Sequence, residues 1–215
     1  MGRPLRPMLP RKLDLLLHRA ESVYWERRFG IGTRVAGQPG RDDDEHSCYQ
    51  PSAYRSIFKV LDALDLQPSD VFVELGCGKG RVTCCAAMRN VARVIGVEDM
   101  PELAAIAEEN ARRMRGRRRP VRIIAGNAEG FDFREGTVFY MFNSFGPETL
   151  RRVLAKIERG VLECPRAIRI AYLAPMHEGA LGEASWLRRV GAVRTIEGEA
   201  SIWSSREVDA RPLTP

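Results

Sequence analysis

Lysine is scarce in this chain. Of 34 basic side chains only Lys12, Lys59, Lys79 and Lys156 are lysines, and the remainder are arginines. Histidine occurs three times, at His18, His46 and His177, and cysteine five times, at Cys48, Cys77, Cys84, Cys85 and Cys164. An odd cysteine count with an adjacent pair does not make a disulfide framework. The absence of CxxC or a histidine cluster speaks against a zinc site, so no metal is expected. Reduced thiols fit a cytoplasmic location. No apolar run approaches the roughly 20 residues of a membrane span, so no membrane partner is expected. The patch "LDLLL" near the start is too short and too charged for a signal peptide. Arg6 stands where a myristoylation signal needs Ser or Thr.

What is present is an ordinary globular composition over 215 residues, with a net charge of +6. That length allows one substantial core with a small appendage. The densest basic run is "RRMRGRRRP", Arg112 to Pro120. At the end of a helix such arginines complement the helix dipole. A patch for phosphates or acidic partners is the alternative, although no aromatic residues interleave the run as they do in nucleic-acid readers.

Periodicity organises the rest. Residues 12–29 carry Leu13, Leu16, Leu17, Ala20, Val23 and Tyr24 at helical spacing, and Gly30 and Gly32 end the helix. Residues 32–52, rich in Gly, Asp and Pro, read as a long loop. Its acidic run "RDDDEH", Arg41 to His46, reads as solvated, with binding of a basic substrate as the alternative. Residues 53–65 are helical. Then "DVFVEL", "ARVIGVE", "VRIIAGN", "TVFYMFN" and "AIRIAYLA" read as strands. Between them lie helical stretches at 81–89, 101–114 and 147–160, with Pro101 and Pro147 at helix starts and Gly160 just past a helix end. Strand–helix alternation predicts a parallel sheet covered on both faces. Residues 192–211 predict a closing antiparallel hairpin. The chain divides into residues 1–52, an N-terminal helix and lid loop, and residues 53–215, a single α/β domain.

One stretch carries chemistry: "VFVELGCGKGR", Val71 to Arg81. Glycines between a strand and a helix let a ligand approach the backbone beside a helix N-terminus. A triphosphate loop needs GxxxxGK followed by Ser or Thr. Here Gly80 follows Lys79 and the spacing fails. A dinucleotide fingerprint needs GxGxxG, and Gly76, Gly78 and Gly80 form GxGxG with Glu74 two residues ahead.

"ELGCGKGR" at the end of a first buried strand resembles the first motif of the class I S-adenosylmethionine-dependent methyltransferases. The resemblance extends over about residues 54–210. It implies a Rossmann-like, seven-stranded, mostly parallel sheet of order 3-2-1-4-5-7-6 with one antiparallel strand, helices on both faces and an N-terminal helical lid. It implies S-adenosyl-L-methionine as cofactor. The implied contacts are Glu74, Gly76, Cys77, Gly78 and Gly80 in the loop, Glu98 on the ribose hydroxyls with Asp99 and Met100 after it, and Asn127 and Ala128 beside the adenine. Asn127 stands where the family often has an acidic residue. Lys79 then becomes an ordinary loop residue, since this cofactor has no phosphate.

At the end of the fourth strand, "NSFG" lacks the Pro-Pro of many amine methyltransferases. It is similar to the Asn-x-Phe type of non-SET protein lysine methyltransferases and bacterial relatives. Asn143 is expected to orient an amine and touch the cofactor, with a helix cap before Pro147 as its alternative. Phe145 is expected to wall the site or pack on the cofactor. His177 is a candidate general base. "CYQPSAY" resembles a turn that precedes the first motif in the same lysine-methyltransferase-like group, and the resemblance implies Tyr49 and Tyr54 as lid contacts to the cofactor. The expected reaction is methyl transfer to an amine nitrogen of a small molecule or protein, a protein lysine among them. O-methylation of a small metabolite, or a non-catalytic regulator that contacts nucleic acid, are the rivals.

Overall fold

The computed structural model describes residues 11–34 and 49–205. Cys48 and the Arg41–His46 run lie outside them. Seven strands form one sheet in the order β3-β2-β1-β4-β5-β7-β6, as expected. They are β1 (Val71–Leu75), β2 (Arg93–Glu98), β3 (Val121–Ala125), β4 (Val138–Met141), β5 (Arg169–Leu173), β6 (Leu187–Arg194) and β7 (Glu199–Ser205). β1 pairs in parallel with β2 and β4, while β7 runs antiparallel to both β5 and β6. The helices are α1 (Arg11–Phe29), α2 (Tyr54–Ala63), α3 (Arg81–Ala86), α4 (Pro101–Arg113), α5 (Pro147–Glu163) and α6 (Glu178–Glu183).

The strand period of two sorts side chains to opposite faces. Phe72, Val94, Val138 and Tyr140 pack under α2 and α3, while Val71, Val73, Leu75, Phe139 and Met141 pack under α5 and α6. Central strands buried on both sides read as continuous apolar runs, which is why they are legible in the sequence.

Four expectations about elements change. The closing hairpin begins at Leu187 rather than residue 192 and its second strand ends at Ser205, with residues 206–211 outside the described part. Its first strand is largely exposed and polar, so alternation does not reveal it. The short helix α6 is not expected from the sequence. Gly160 does not end α5 but lies inside it, where an added Cβ would stand 3.2 Å from the Phe133 backbone; close packing, not a stop signal, explains it. On α1 the buried face includes Ser22, Trp25, Glu26 and Phe29. Tyr24 is exposed, with Trp25 taking the core position against Phe29, Tyr54 and Phe58 at centroid distances of 5.2, 6.1 and 4.8 Å. A charged residue, Glu26, on the inner face hides that register.

Candidate functional site: a cleft at the carboxyl ends of β1 and β4

Strand order reverses between β1 and β4, and in open α/β sheets ligands bind outside the strand ends at such a point. The chain leaves β1 through Gly76 and Gly78, both left-handed, with φ of 75° and 54°. The Gly76 and Cys77 N–H groups both donate to the Val97 carbonyl, at 2.9 Å, which folds the loop back over β2. A Cβ on Gly76 would lie 2.3 Å from Ser144 Oγ, and Ser144 Oγ itself donates to the Leu75 carbonyl at 2.7 Å. A Cβ on Gly78 would lie 2.3 Å from the Tyr49 ring. Both positions therefore exclude a side chain by space and by backbone.

Two adjoining hollows result. The first is lined by Tyr49 to Ser52, Glu74, Gly76 to Gly78, Arg81, Val82, Glu98 to Met100, Leu103, Phe142 to Ser144 and Met176. The second shares Gly76, Asp99 and Ser144 with it and adds Val97, Gly126 to Glu129, Phe145 and Thr149. Of the expected residues, Glu74, Gly76, Cys77, Gly78, Glu98, Asp99, Met100, Asn143 and Tyr49 come together in the first hollow, and Asn127 and Ala128 in the second.

Three expected residues do not line either hollow. Tyr54 is fully buried behind Arg81, whose guanidinium carbon lies 4.7 Å from the ring centre. Gly80 starts α3 with its α-carbon against Ala107 of α4. His177 precedes α6, beyond the Met176 rim. Phe145 lines the second hollow together with Asn127 and Ala128.

Two buried carboxylates define the electrostatics. Glu98 accepts from the Gly78 N–H at 2.6 Å and the Met100 N–H at 3.1 Å. Burial nevertheless pushes its pKa up to about 7. Glu74 accepts from the Thr83 N–H and hydroxyl at 2.7 and 2.5 Å, and burial pushes it up to about 8. Desolvation outweighs the hydrogen bonds in both cases, as neither has a cationic partner among the described residues.

Among the described residues, the only basic one lining the hollows is Arg81, and its charge is already engaged. It donates to Thr33 Oγ1 (2.7 Å), the Ser52 carbonyl (2.8 Å) and Glu26 Oε1 (3.2 Å). Lys79, also buried, donates to the Arg34 carbonyl at 3.0 Å and lies 5.2 Å from the Tyr49 ring centre. It is therefore a tie between the glycine loop and the N-terminal segment, not an ordinary loop residue. A cleft with Glu74, Glu98 and Asp99 and no available cation among the described residues disfavours a phosphate ligand. It suits a cationic ligand with hydroxyl donors, and S-adenosylmethionine carries a sulfonium, an ammonium and a vicinal diol. The residues that could hold that group are Glu98 for the diol, the glycine loop and Glu74 for the amino-acid end, and Asn127 and Phe145 for the base.

Asn143 adopts φ +47° at the end of β4. Its Nδ2 donates to the Ala174 carbonyl at 2.8 Å and its Oδ1 accepts from the Met176 N–H at 3.0 Å. It does not cap α5, whose N-cap is Gly146. It clamps the β5–α6 loop to the end of β4. Asn127 caps the turn after β3 by accepting from the Glu129 N–H at 2.7 Å.

Sequence reasoning misses the network around Arg81, Glu26, Thr33 and Asn110. Asn110, fully buried on α4, holds both backbone polar groups of Gly32 and the Lys79 carbonyl. Polar residues spaced tens of positions apart give no periodic signal; only the acid on α1's inner face hints at it. Several arginines of the Arg112–Arg119 run are spent locally: Arg112 on Glu109, Arg113 on Asn110, Arg115 on the Arg27 carbonyl, Arg117 on the Ala111 carbonyl and Arg119 on Asn90. Burial pushes the thiols of Cys77, Cys84 and Cys85 upward, Cys84 to about 12, so they are packing groups.

Comparison with known proteins bears on the sequence family and the fold. Residues 46–122, which include Tyr49, the glycine loop and Glu98, match the family model described as "Histone methylation protein DOT1". The chain is 34% identical over 96 residues to a histone-lysine N-methyltransferase, H3 lysine-79 specific, of Dictyostelium discoideum, covering 39% of this chain and 5% of that protein. It is 32% identical over 100 residues to a protein-lysine N-methyltransferase of Saccharolobus islandicus (strain REY15A), covering 45% of this chain and 60% of that one. The matched stretch thus spans less than two thirds of either relative. Among solved structures, an RNA methyltransferase from Salinibacter ruber in complex with S-adenosyl-L-homocysteine superposes with a TM-score of 0.54 at 20% identity, covering 77% of this chain and 98% of that one. TrmN from Thermus thermophilus does so with 0.52 at 16% identity, covering 71% and 48%. At these identities the structural likeness establishes the fold.

Proposed function

Given a chain with the fold of the class I S-adenosylmethionine-dependent methyltransferases, we propose that it transfers the sulfonium methyl group of S-adenosylmethionine to an amine nitrogen, with a protein lysine as the acceptor. The observation that carries the reading is the cleft's lining: the carboxyl groups of Glu74, Glu98 and Asp99 as acceptors, and no uncommitted cation among the described residues, at the strand ends where this fold places the donor. The lysine assignment is supported by the family match over residues 46–122 and by the names of the two curated relatives.

S-adenosylmethionine supplies an activated electrophilic methyl group. The chain's task is therefore to bind, align and desolvate. Glu98 orients the ribose through its remaining lone pairs, and the Gly76–Gly78 backbone sets the distance of closest approach. Pro51, Phe142 and Met176 give the first hollow an apolar side. An ammonium entering past them loses hydration, which lowers its pKa and favours the neutral amine that attacks. The Asp99 carboxylate, and Glu98 once ionised, attract the amine in its charged form. Asn143 acts by fixing the Ala174–Met176 loop beside the acceptor path. O-methylation would call on His177 as base, and His177 lies outside both hollows.

The test is transfer of a labelled methyl group from S-adenosylmethionine to lysine-containing peptides, analysed after acid hydrolysis, and to small phenols and carboxylic acids, whose products are separated directly without hydrolysis. Methyl-lysine is the expected product. Label recovered only as an ether or ester overturns the amine reading. Failure of S-adenosylhomocysteine to bind at millimolar concentration overturns the donor.

A further inference from the structure

We propose that the outer face of α1 is a docking surface for an acidic protein segment that carries an apolar anchor residue. This face lies opposite the one that holds Arg81. Ala20, Val23, Tyr24 and Arg27 share it at the i, i+3, i+4, i+7 spacing of one helix stripe, and with Arg19, Arg28 and Arg115 they enclose a shallow groove. Tyr24 is 57% exposed, among the most exposed large hydrophobic side chains described.

The groove's charge is one-sided. No carboxylate among the described residues lines it. The guanidinium groups of Arg19, Arg27 and Arg28 make no hydrogen bond or ion pair among the described residues. Arg115 is fixed against the helix end by its backbone N–H to the Phe29 carbonyl, at 2.8 Å, and by Nη2 to the Arg27 carbonyl, at 2.9 Å. Some exposed arginines elsewhere are matched with acids, Arg134 with Asp132, Arg151 with Glu148 and Glu183, Arg152 with Glu129 and Arg159 with Glu163. Others, such as Arg122, Arg188 and Arg194, are scattered singly without an ion pair among the described residues, whereas around α1 unpaired arginines line one groove. Clustered like charges repel one another, and an acidic partner relieves that repulsion.

The floor decides the kind of partner. Ala20 and Val23 are aliphatic and the single aromatic is Tyr24, so successive bases have no platform on which to stack. A rim of arginines around a tyrosine-centred apolar floor has the composition of a protein–protein contact, in which tyrosine and arginine dominate the binding energy. An amphipathic segment with acidic residues beside a leucine or phenylalanine satisfies both parts.

The experiment measures, on the full chain, binding of a labelled synthetic helical peptide bearing glutamates beside a leucine–phenylalanine stripe. A scrambled peptide of equal charge, oligo-uridylate and duplex DNA serve as comparators, and S-adenosylhomocysteine affinity serves as the folding control. Tyr24→Ala and the double variant Arg27→Glu/Arg28→Glu should each weaken the patterned peptide by at least about tenfold and leave S-adenosylhomocysteine affinity unchanged. Three results overturn the proposal. The first is equal affinity for the scrambled peptide. The second is tighter binding of either nucleic acid with loss in the arginine variant only. The third is peptide binding that appears only after Asp42, Asp43, Asp44 and Glu45 are neutralised, which would assign the groove to the chain's own acidic run.

Discussion

Arg81 and Glu26 form a buried ion pair, Nη2 to Oε1 at 3.2 Å, with side chains 3% and 5% exposed. It joins α1 to the first turn of α3, immediately after the glycine loop. Glu26 also accepts from the Thr33 N–H (3.0 Å), the Thr33 hydroxyl (2.9 Å) and Arg34 Nε (2.8 Å). The N-terminal segment is thus bolted to the back of the donor loop. Removing one partner of a buried pair leaves the other uncompensated and costs about 3–5 kcal/mol. Arg81→Ala and Glu26→Ala should each lower the denaturation midpoint and expose α1 to limited proteolysis. S-adenosylhomocysteine affinity should fall with them, because Ser52 and Tyr49 are held through the same network. Unaltered proteolysis of α1 in Arg81→Ala would refute this link.

What is legible in the sequence follows from this contrast. Central strands buried on both faces, Pro-initiated helices and glycines in left-handed turns each leave a local signature, so the strands, most helices and the core of the glycine loop can be read, while the sheet order follows from the family resemblance. Glu26, Asn110 and Arg81 are joined to the rest by contacts such as Asn110–Gly32, Arg81–Glu26 and Asn110–Lys79, which lie 78, 55 and 31 residues apart in sequence, and no periodic signal marks them. Tyr54 illustrates the error in reverse. Its aromatic position beside the lid suggests a ligand contact, but α2's amphipathic face turns it into the core. Asn143 falls where the sequence places it, yet its partners Ala174 and Met176 lie beyond α5, so its clamp has no local signal.

Glu98 should make cofactor affinity depend on pH. Burial raises its pKa to about 7, and Glu74's to about 8. A carboxyl raised above its unfolded value holds a proton in the folded state that the unfolded chain has already lost. Stability without ligand therefore falls as pH rises from the ordinary carboxylate range, near 4.5, to about 8. Cofactor binding favours the ionised acceptor, so S-adenosylhomocysteine affinity should rise between about pH 6 and 8, with proton release visible by calorimetry in buffers of different ionisation enthalpy. Glu98→Gln should flatten the profile, and Glu98→Ala should weaken binding by about 10- to 100-fold. A profile in the parent protein that is flat over this range counts against the ribose assignment.

Asn143 should affect turnover more than binding. Asn143→Ala removes the bonds to Ala174 and Met176 and places alanine at φ +47°, which costs about 1–2 kcal/mol for an ordinary L-residue. Asn143→Gly relieves the backbone cost and still lacks the bonds. Both variants should slow methyl transfer while S-adenosylhomocysteine affinity changes by no more than about threefold, under 1 kcal/mol. Full turnover in Asn143→Gly would assign the residue to backbone geometry alone.

Tyr49 and Gly78 should behave as a coupled pair. The Tyr49 ring rests on the Gly78 α-carbon, its nearest carbon 2.3 Å from where a Cβ would stand, and its hydroxyl donates to the Thr33 carbonyl at 2.6 Å. Gly78→Ala therefore meets two obstacles, the ring and a φ of +54°. Tyr49→Ala removes the ring but also one wall of the cleft, so each single change should weaken S-adenosylhomocysteine binding. In the double variant the alanine methyl no longer meets a ring, and only the backbone cost, about 1–2 kcal/mol, and the missing wall remain. The two losses should thus sum to more than the double variant shows, a coupling of at least about 0.5 kcal/mol for residues in contact. Tyr49→Phe keeps the ring over the glycine and should retain most of the affinity, losing only the tie to Thr33. Strict additivity of the two alanine changes would mean that Tyr49 does not rest on the donor loop in solution.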